Sequence, residues 1–137
     1  MIQRTMVGYD GSASAKQALR FGLDMMRLTG GHVYVVFVVQ PTAMGPADSA
    51  LSAGAQDEHD HGLLDEIAKL AGEDGDIVTV DSICGSPGDA LLGYAEKHAI
   101  EHIVLGHTER GSLLQWLLGS VSEHILNQAY VPVTVIR

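Results

Sequence analysis

The sequence predicts a doubly wound α/β domain: a five-stranded parallel sheet with helices on both faces. Three observations predict it. Strand candidates rich in β-branched residues alternate with segments of helical period, which is the pattern of strands joined by right-handed crossovers. The run Val33 to Val39 is almost wholly apolar, as a strand is when helices cover both faces of its sheet. Clusters of Gly, Ser, Asp and Pro follow the strand candidates, where loops must turn into helices.

The elements follow in chain order. Arg4 to Tyr9 reads as a strand that stops at Asp10-Gly11-Ser12, a cluster suited to a turn and a helix cap. From Ser14 the apolar residues Ala15, Ala18, Leu19, Leu23 and Met26 recur at helical spacing until Gly30-Gly31 ends the run. Val33 to Val39 is then a central strand. Residues 40–55 are rich in Ala, Gly, Pro and Ser without a period and read as a long, flexible connection. Gln56 to Ala71 carries Leu63, Leu64, Ile67 and Leu70 on one stripe, a second helix closed by Gly72 and the acidic turn Glu73 to Asp76. Ile77 to Ile83 alternates more visibly and suits an edge strand. Pro87 fits the first turn of a third helix through Ala90, Leu91, Tyr94, Ala95 and His98. His102 to Leu105 is a short buried strand and Gly106 to Gly111 a polar loop. Leu113 to Leu126 is helical in pattern, interrupted at Gly119-Ser120, and Val131 to Ile136 is the last strand.

Composition bounds the function. A chain of 137 residues with 46% hydrophobic and 5% aromatic content is expected to form one domain, 1–137, around an aliphatic core. Its 17 Asp and Glu against 8 Lys and Arg, net −9, argue against nucleic acid or anionic lipid as a partner. Any phosphate site must then rely on backbone groups. Cys84 has no second cysteine to pair with and reads as a buried packing residue. With no signal-peptide pattern at the start and no apolar run approaching the roughly 20 residues of a bilayer span, a cytoplasmic protein without membrane insertion is expected.

Ligands of such sheets bind beyond the carboxyl ends of the strands where strand order reverses, here beside the first strand, so the loops after Tyr9 and Leu105 matter most. Gly106 to Gly111 is followed, after seven residues, by Gly119-Ser120-Val121-Ser122. Glycines let the main chain approach a phosphate, and the amides of residues 119–122 at a helix start would present donors and a positive dipole end. An alternative reading has Gly106 merely turning the chain and Ser120 capping a helix. The run Asp57 to His61 carries metal-ligand residue types, but His59 and His61 would face different sides of a helix, so no metal is assigned. No catalytic triad, zinc signature or Walker loop can be drawn, so no catalytic residue is assigned.

Val7-Gly-Tyr-Asp-Gly-Ser12, Gly85-Ser-Pro87, Leu105-Gly-His-Thr-Glu-Arg-Gly111, Leu117-Leu-Gly-Ser-Val-Ser122 and Val131-Pro-Val-Thr-Val-Ile136 together resemble the universal stress protein family over the whole chain. The resemblance implies a Rossmann-like fold with strand order 3-2-1-4-5. It implies an adenine nucleotide, ATP, ADP or AMP, with Mg2+ a companion of the triphosphate. In the nucleotide-binding members a loop of glycine, two residues, glycine, nine residues, glycine and serine or threonine holds the phosphates. Carried over, Gly106 takes the first glycine, Arg110 to Leu118 the nine residues, and Gly119 and Ser120 the end; the second glycine falls on Glu109. A carboxylate about 4 Å from a phosphate charge repels it by about 4 kcal/mol at an effective dielectric of about 20. The outer phosphates of ATP should suffer most, while Thr108 donates a hydrogen bond and Arg110 compensates in part. The resemblance further implies that Asp10 accepts from ribose or the adenine amine, and that Val38 offers main-chain groups and an apolar face to the base. Tyr9 lines the pocket, Leu105 precedes the phosphate loop, and Val121 and Ser122 complete the helix start. A homodimer through Val133, Thr134, Val135 and Ile136 is implied, with an unidentified protein partner reading a nucleotide-dependent switch and at most slow ATP hydrolysis. Two other readings stay open: a nucleotide-independent dimeric interaction protein whose phosphate site Glu109 impairs, and an accessory regulator of a membrane transporter.

Overall fold

The computed structural model describes residues 1–39, 61–107 and 120–137, and for 120–122 the backbone alone. In chain order the elements are β1 (Arg4–Gly8), α1 (Ala13–Thr29), β2 (His32–Val39), α2 (61–71), a 3-10 helix (Gly72–Ile77), β3 (Val78–Cys84), α3 (Pro87–Lys97), β4 (His102–Gly106), α4 (Ser120–Gln128) and β5 (Val133–Ile136). The five strands form one sheet in the order β3-β2-β1-β4-β5, every pair parallel. Val7 of the central strand stands in register with Val35 on one side and Val104 on the other.

The pleat sorts the apolar residues into two cores. Val7, Tyr9, Val33, Val35, Phe37 and Val104 project to one face, where Leu19, Leu23 and Met26 of α1 and Leu63 and Ile67 of α2 cover them. Met6, Val36, Val38, Ile103 and Leu105 project to the other, under Leu91, Tyr94 and Ala95 of α3 and Ile125 of α4. The near-continuous apolar run of β2 is thus the signature of burial on both faces.

Boundaries shift where local chemistry decides them. Ile77 belongs to the 3-10 helix instead of β3. Val131 and Pro132 lie outside β5 because proline has no N–H for the ladder, although the Pro132 carbonyl accepts from Ile103 N at 3.0 Å. Of the two expected helices at 56–71 and 113–126, the described parts are 61–71 and Ser120–Gln128; the connection at 40–55 lies outside the described residues. Cys84 corrects the sequence reading: it is exposed, not buried. β3 is an edge strand, and Ser82 and Cys84 continue the face of Val78 and Val80 beyond the part that the first core covers.

Polar groups are also carried into the sheet. His102 is buried beside its register partner Thr5, and its Nε2 lies 2.8 Å from Thr134 Oγ1. His102 Nδ1 and Thr5 Oγ1 have no hydrogen-bond partner among the described residues. Burial pushes the His102 pKa below its ordinary 6.5. The unfolded chain therefore takes up this proton more readily than the folded one. The stability contribution is complete above pH 6.5 and is lost as pH falls from there toward the lowered folded value. Urea unfolding of wild type and His102→Gln between pH 7 and 5 is expected to show a steeper loss in wild type, with shared carboxylate effects cancelling in the difference. Parallel pH profiles would contradict it.

Candidate functional site

At the C-terminal edge of the sheet β1 leads away to β2 and β4 leads away to β5, and Gly8 pairs with Leu105 at the divide. The crossovers leave opposite faces here, so the edge opens into a crevice between the two strand ends. Beyond β1, Tyr9 N donates to Val36 O at 2.9 Å, which carries the chain one residue past the strand. Asp10, 4% exposed, accepts from Ser12 N on Oδ1 at 2.9 Å. Gly11, at φ +82°, supplies the left-handed turn between them. Ser12 is the helix cap, its Oγ accepting from Ala15 N at 3.1 Å. Asp10 therefore shapes the turn and Ser12 caps α1, although both residue types suit a cap.

The opposite wall is set by Gly106. A Cβ there would lie 2.5 Å from Ala15 N and from Ser14 C, so the end of β4 runs directly against the first turn of α1. His107 N donates to Ile136 O at 2.6 Å, holding the exit of β4 to β5. Two helix N-termini, those of α1 and α4, consequently start at this same edge of the sheet, each with backbone N–H groups outside the helical ladder and a positive dipole end. The loop Gly85 to Ser86 leads into α3, with Pro87 at the first helical position and Asp89 in the first turn.

The side chains expected here divide between the crevice and the cores. Leu105 is fully buried and Val38 nearly so, both in the core under α3 and α4, so their main chains are what they bring to the strand ends. Tyr9 is fully buried in the other core, and its hydroxyl donates to Glu66 Oε2 at 3.0 Å. Burial, then the hydrogen bond and the charge of Glu66, push the Tyr9 hydroxyl pKa up. The Tyr9 ring thus supports the crevice from beneath. Glu66 is a residue the sequence reading missed. It flanks the Leu63 and Ile67 stripe of α2, and the Cβ position of Gly11 lies 3.0 Å from Leu63 Cδ2 and 3.6 Å from Glu66 Oε2. The helical stripe was the available signal, since it places α2 against a turn with no side chain in the way. Ser120, Val121 and Ser122 form the backbone of the first turn of α4. Thr108, Glu109, Arg110 and Gly119 lie outside the described residues, as does most of the Asp57 to His61 run. Among the described residues no group of three His, Cys, Asp or Glu side chains is placed to hold a metal, and no helix is long and apolar enough to cross a membrane.

This edge can therefore present a buried carboxylate, two sets of helix-start amides and close-packed main chain to a ligand with polar and anionic parts. Residues 1–137 match the family model described as the universal stress protein family. A universal stress protein of Methanocaldococcus jannaschii is 27% identical over 141 residues, covering 100% of this chain and 83% of that one. The structure of the universal stress protein UspA from Lactobacillus plantarum superposes with a TM-score of 0.83 at 22% identity, over 99% of this chain and 98% of that chain. A universal stress protein from Archaeoglobus fulgidus in complex with dAMP gives 0.71 at 23% identity over the whole of both chains. Further matched structures of the family hold cAMP and AMP. At these identities the structural likeness establishes the Rossmann-like α/β fold.

Proposed function

Because the chain belongs to the universal stress protein family, we propose that it binds an adenine nucleotide at the β1/β4 crevice and acts as a cytoplasmic stress-response regulator, a binding switch with no catalytic step. The observation that carries this reading is the start of two helices, α1 and α4, at one reversal of strand order, with the Asp10 carboxylate buried between the strand ends. In this reading Asp10 accepts from the ribose or the adenine amine and the main chain at Val38 borders the base. Gly106, Thr108, Arg110 and Gly119 to Ser122 receive the phosphates through amides and hydroxyls. The adenine nucleotides held by the matched universal stress proteins support it.

Glu109 sets the order of preference, because a carboxylate in the phosphate loop penalises the outer phosphates most. AMP and ADP bind more tightly than ATP, and Mg2+ narrows the gap by neutralising the triphosphate. The protein works as a homodimer through β5. This edge strand has a free side in the sheet order, and Val135 is 36% exposed. Occupied and empty crevices then present different surfaces to a protein partner.

Calorimetric titration with AMP, ADP and ATP, each with and without Mg2+, tests the reading. Binding in the order AMP or ADP before ATP is expected. Silence for all three nucleotides would overturn it and leave a nucleotide-independent interaction protein.

A further inference from the structure

His124 stands in the second turn of α4, outside the set of residues that the sequence reading singled out. Its Nε2 lies 2.8 Å from Asp89 Oδ1, in the first turn of α3. A carboxylate only accepts, so Nε2 carries the hydrogen and the orientation of the ring is set. The ring rests against Gly88: a Cβ on that residue would lie 2.6 Å from His124 Cδ2 and 3.2 Å from Cγ. The absence of a side chain at Gly88 is what admits the imidazole to the α3 backbone.

The next residue, Ile125, is the fully buried anchor of α4 in the core. Among the described side chains of α4 only Ile125 is buried, and a single such anchor fixes a helix on a sheet without fixing its roll about its own axis. Successive helical residues point about 100° apart, so His124 and Ile125 grip α4 from two directions. Together they define where the first turn of α4 points.

We propose that the Asp89–His124 clasp is a positioning device for phosphate binding: it fixes the roll of α4 so that the amides of Ser120 to Ser122 converge on the crevice. The proposal rests on the crevice being a nucleotide site. His124 and Asp89 are positioning residues, since neither touches the ligand. Their side chains are 43% and 76% exposed, and an exposed pair contributes little to global stability. Its effect lies in geometry.

The test compares AMP with adenosine, which lacks the phosphate, by calorimetry on wild type, His124→Ala, Asp89→Ala, the double variant and His124→Gln. The alanine variants are expected to weaken AMP by about four-fold and adenosine by less than about two-fold, with the double variant no worse than either single one. His124→Gln should restore AMP affinity, because its Nε2–H reaches the same oxygen. Equal losses for AMP and adenosine, additive losses, or no rescue by Gln would overturn the clasp as a positioning device. Amide hydrogen exchange at residues 124–128, whose N–H groups lie within the helical ladder, separates this from the nucleotide reading when measured without ligand. If wild type binds neither ligand, that reading and the phosphate role both fall. Faster exchange in the alanine variants would then still show that the pair holds α4, and unchanged exchange would remove the clasp altogether.

Discussion

Gly106→Ala is expected to lower the unfolding free energy by about 3 kcal/mol, at the upper end of what one added core methyl costs. The reason is the identity of the neighbours. The new Cβ would sit 2.5 Å from Ala15 N and Ser14 C and 2.7 Å from Ser14 Oγ. A side chain could rotate away, but two of these atoms are backbone in the first turn of α1, whose position is fixed by Ala15, Ala18 and Leu19 in the core. Relief therefore requires β4 and α1 to separate, which breaks sheet packing and widens the crevice together. Urea denaturation measures the stability loss, and AMP titration of the folded fraction should show weakened binding. A Gly106→Ala protein as stable as wild type would mean that β4 and α1 are not in the contact described.

Glu109→Gly is expected to raise ATP affinity by about 30-fold and AMP affinity by less than about three-fold. The unscreened repulsion of about 4 kcal/mol at about 4 Å is an upper bound for a loop in contact with salt solution, and halving it for screening gives about 2 kcal/mol. Removing Cβ adds to the gain by letting the amide approach the outer phosphates. Competitive titration of ATP and AMP on both proteins measures the two ratios. A uniform change for both nucleotides would show that residue 109 does not face the outer phosphates. Glu109 itself lies outside the described residues, so this expectation stands on its charge and its place in the loop.

Much of the architecture was readable because periodicity reports how many faces of an element are covered. Val33 to Val39 announced a doubly covered strand, and the alternation at 77–83 announced an edge. The crevice was located by the same logic, since the reversal of strand order follows from connectivity. Side-chain partners were not readable. Tyr9 and Glu66 are 57 residues apart and Asp89 and His124 are 35 apart, and an apolar stripe says which side of a helix is buried without saying what its polar flank meets. The cap of α1 illustrates a finer ambiguity. Asp10 and Ser12 have the same capping chemistry, and the positive φ of Gly11 decides between them by placing the turn ahead of the serine. Cys84 was misread because exposure at the end of an edge strand depends on how far the covering helices reach, which no local pattern records.

The position of β1 at the middle of the sheet has a consequence for biosynthesis. A chain emerging from the ribosome N-terminus first can close β1, α1 and β2 on one another early, since these elements are consecutive and their contacts local. The opposite flank of β1 stays open until His102–Gly106 arrives, and the Gln3 to Glu101 hydrogen bond beside it spans 98 residues. Nascent chains and chains released before β4 therefore carry half a crevice and an unpaired central strand. Any ligand that bridges that divide must therefore wait for β4 to join β1.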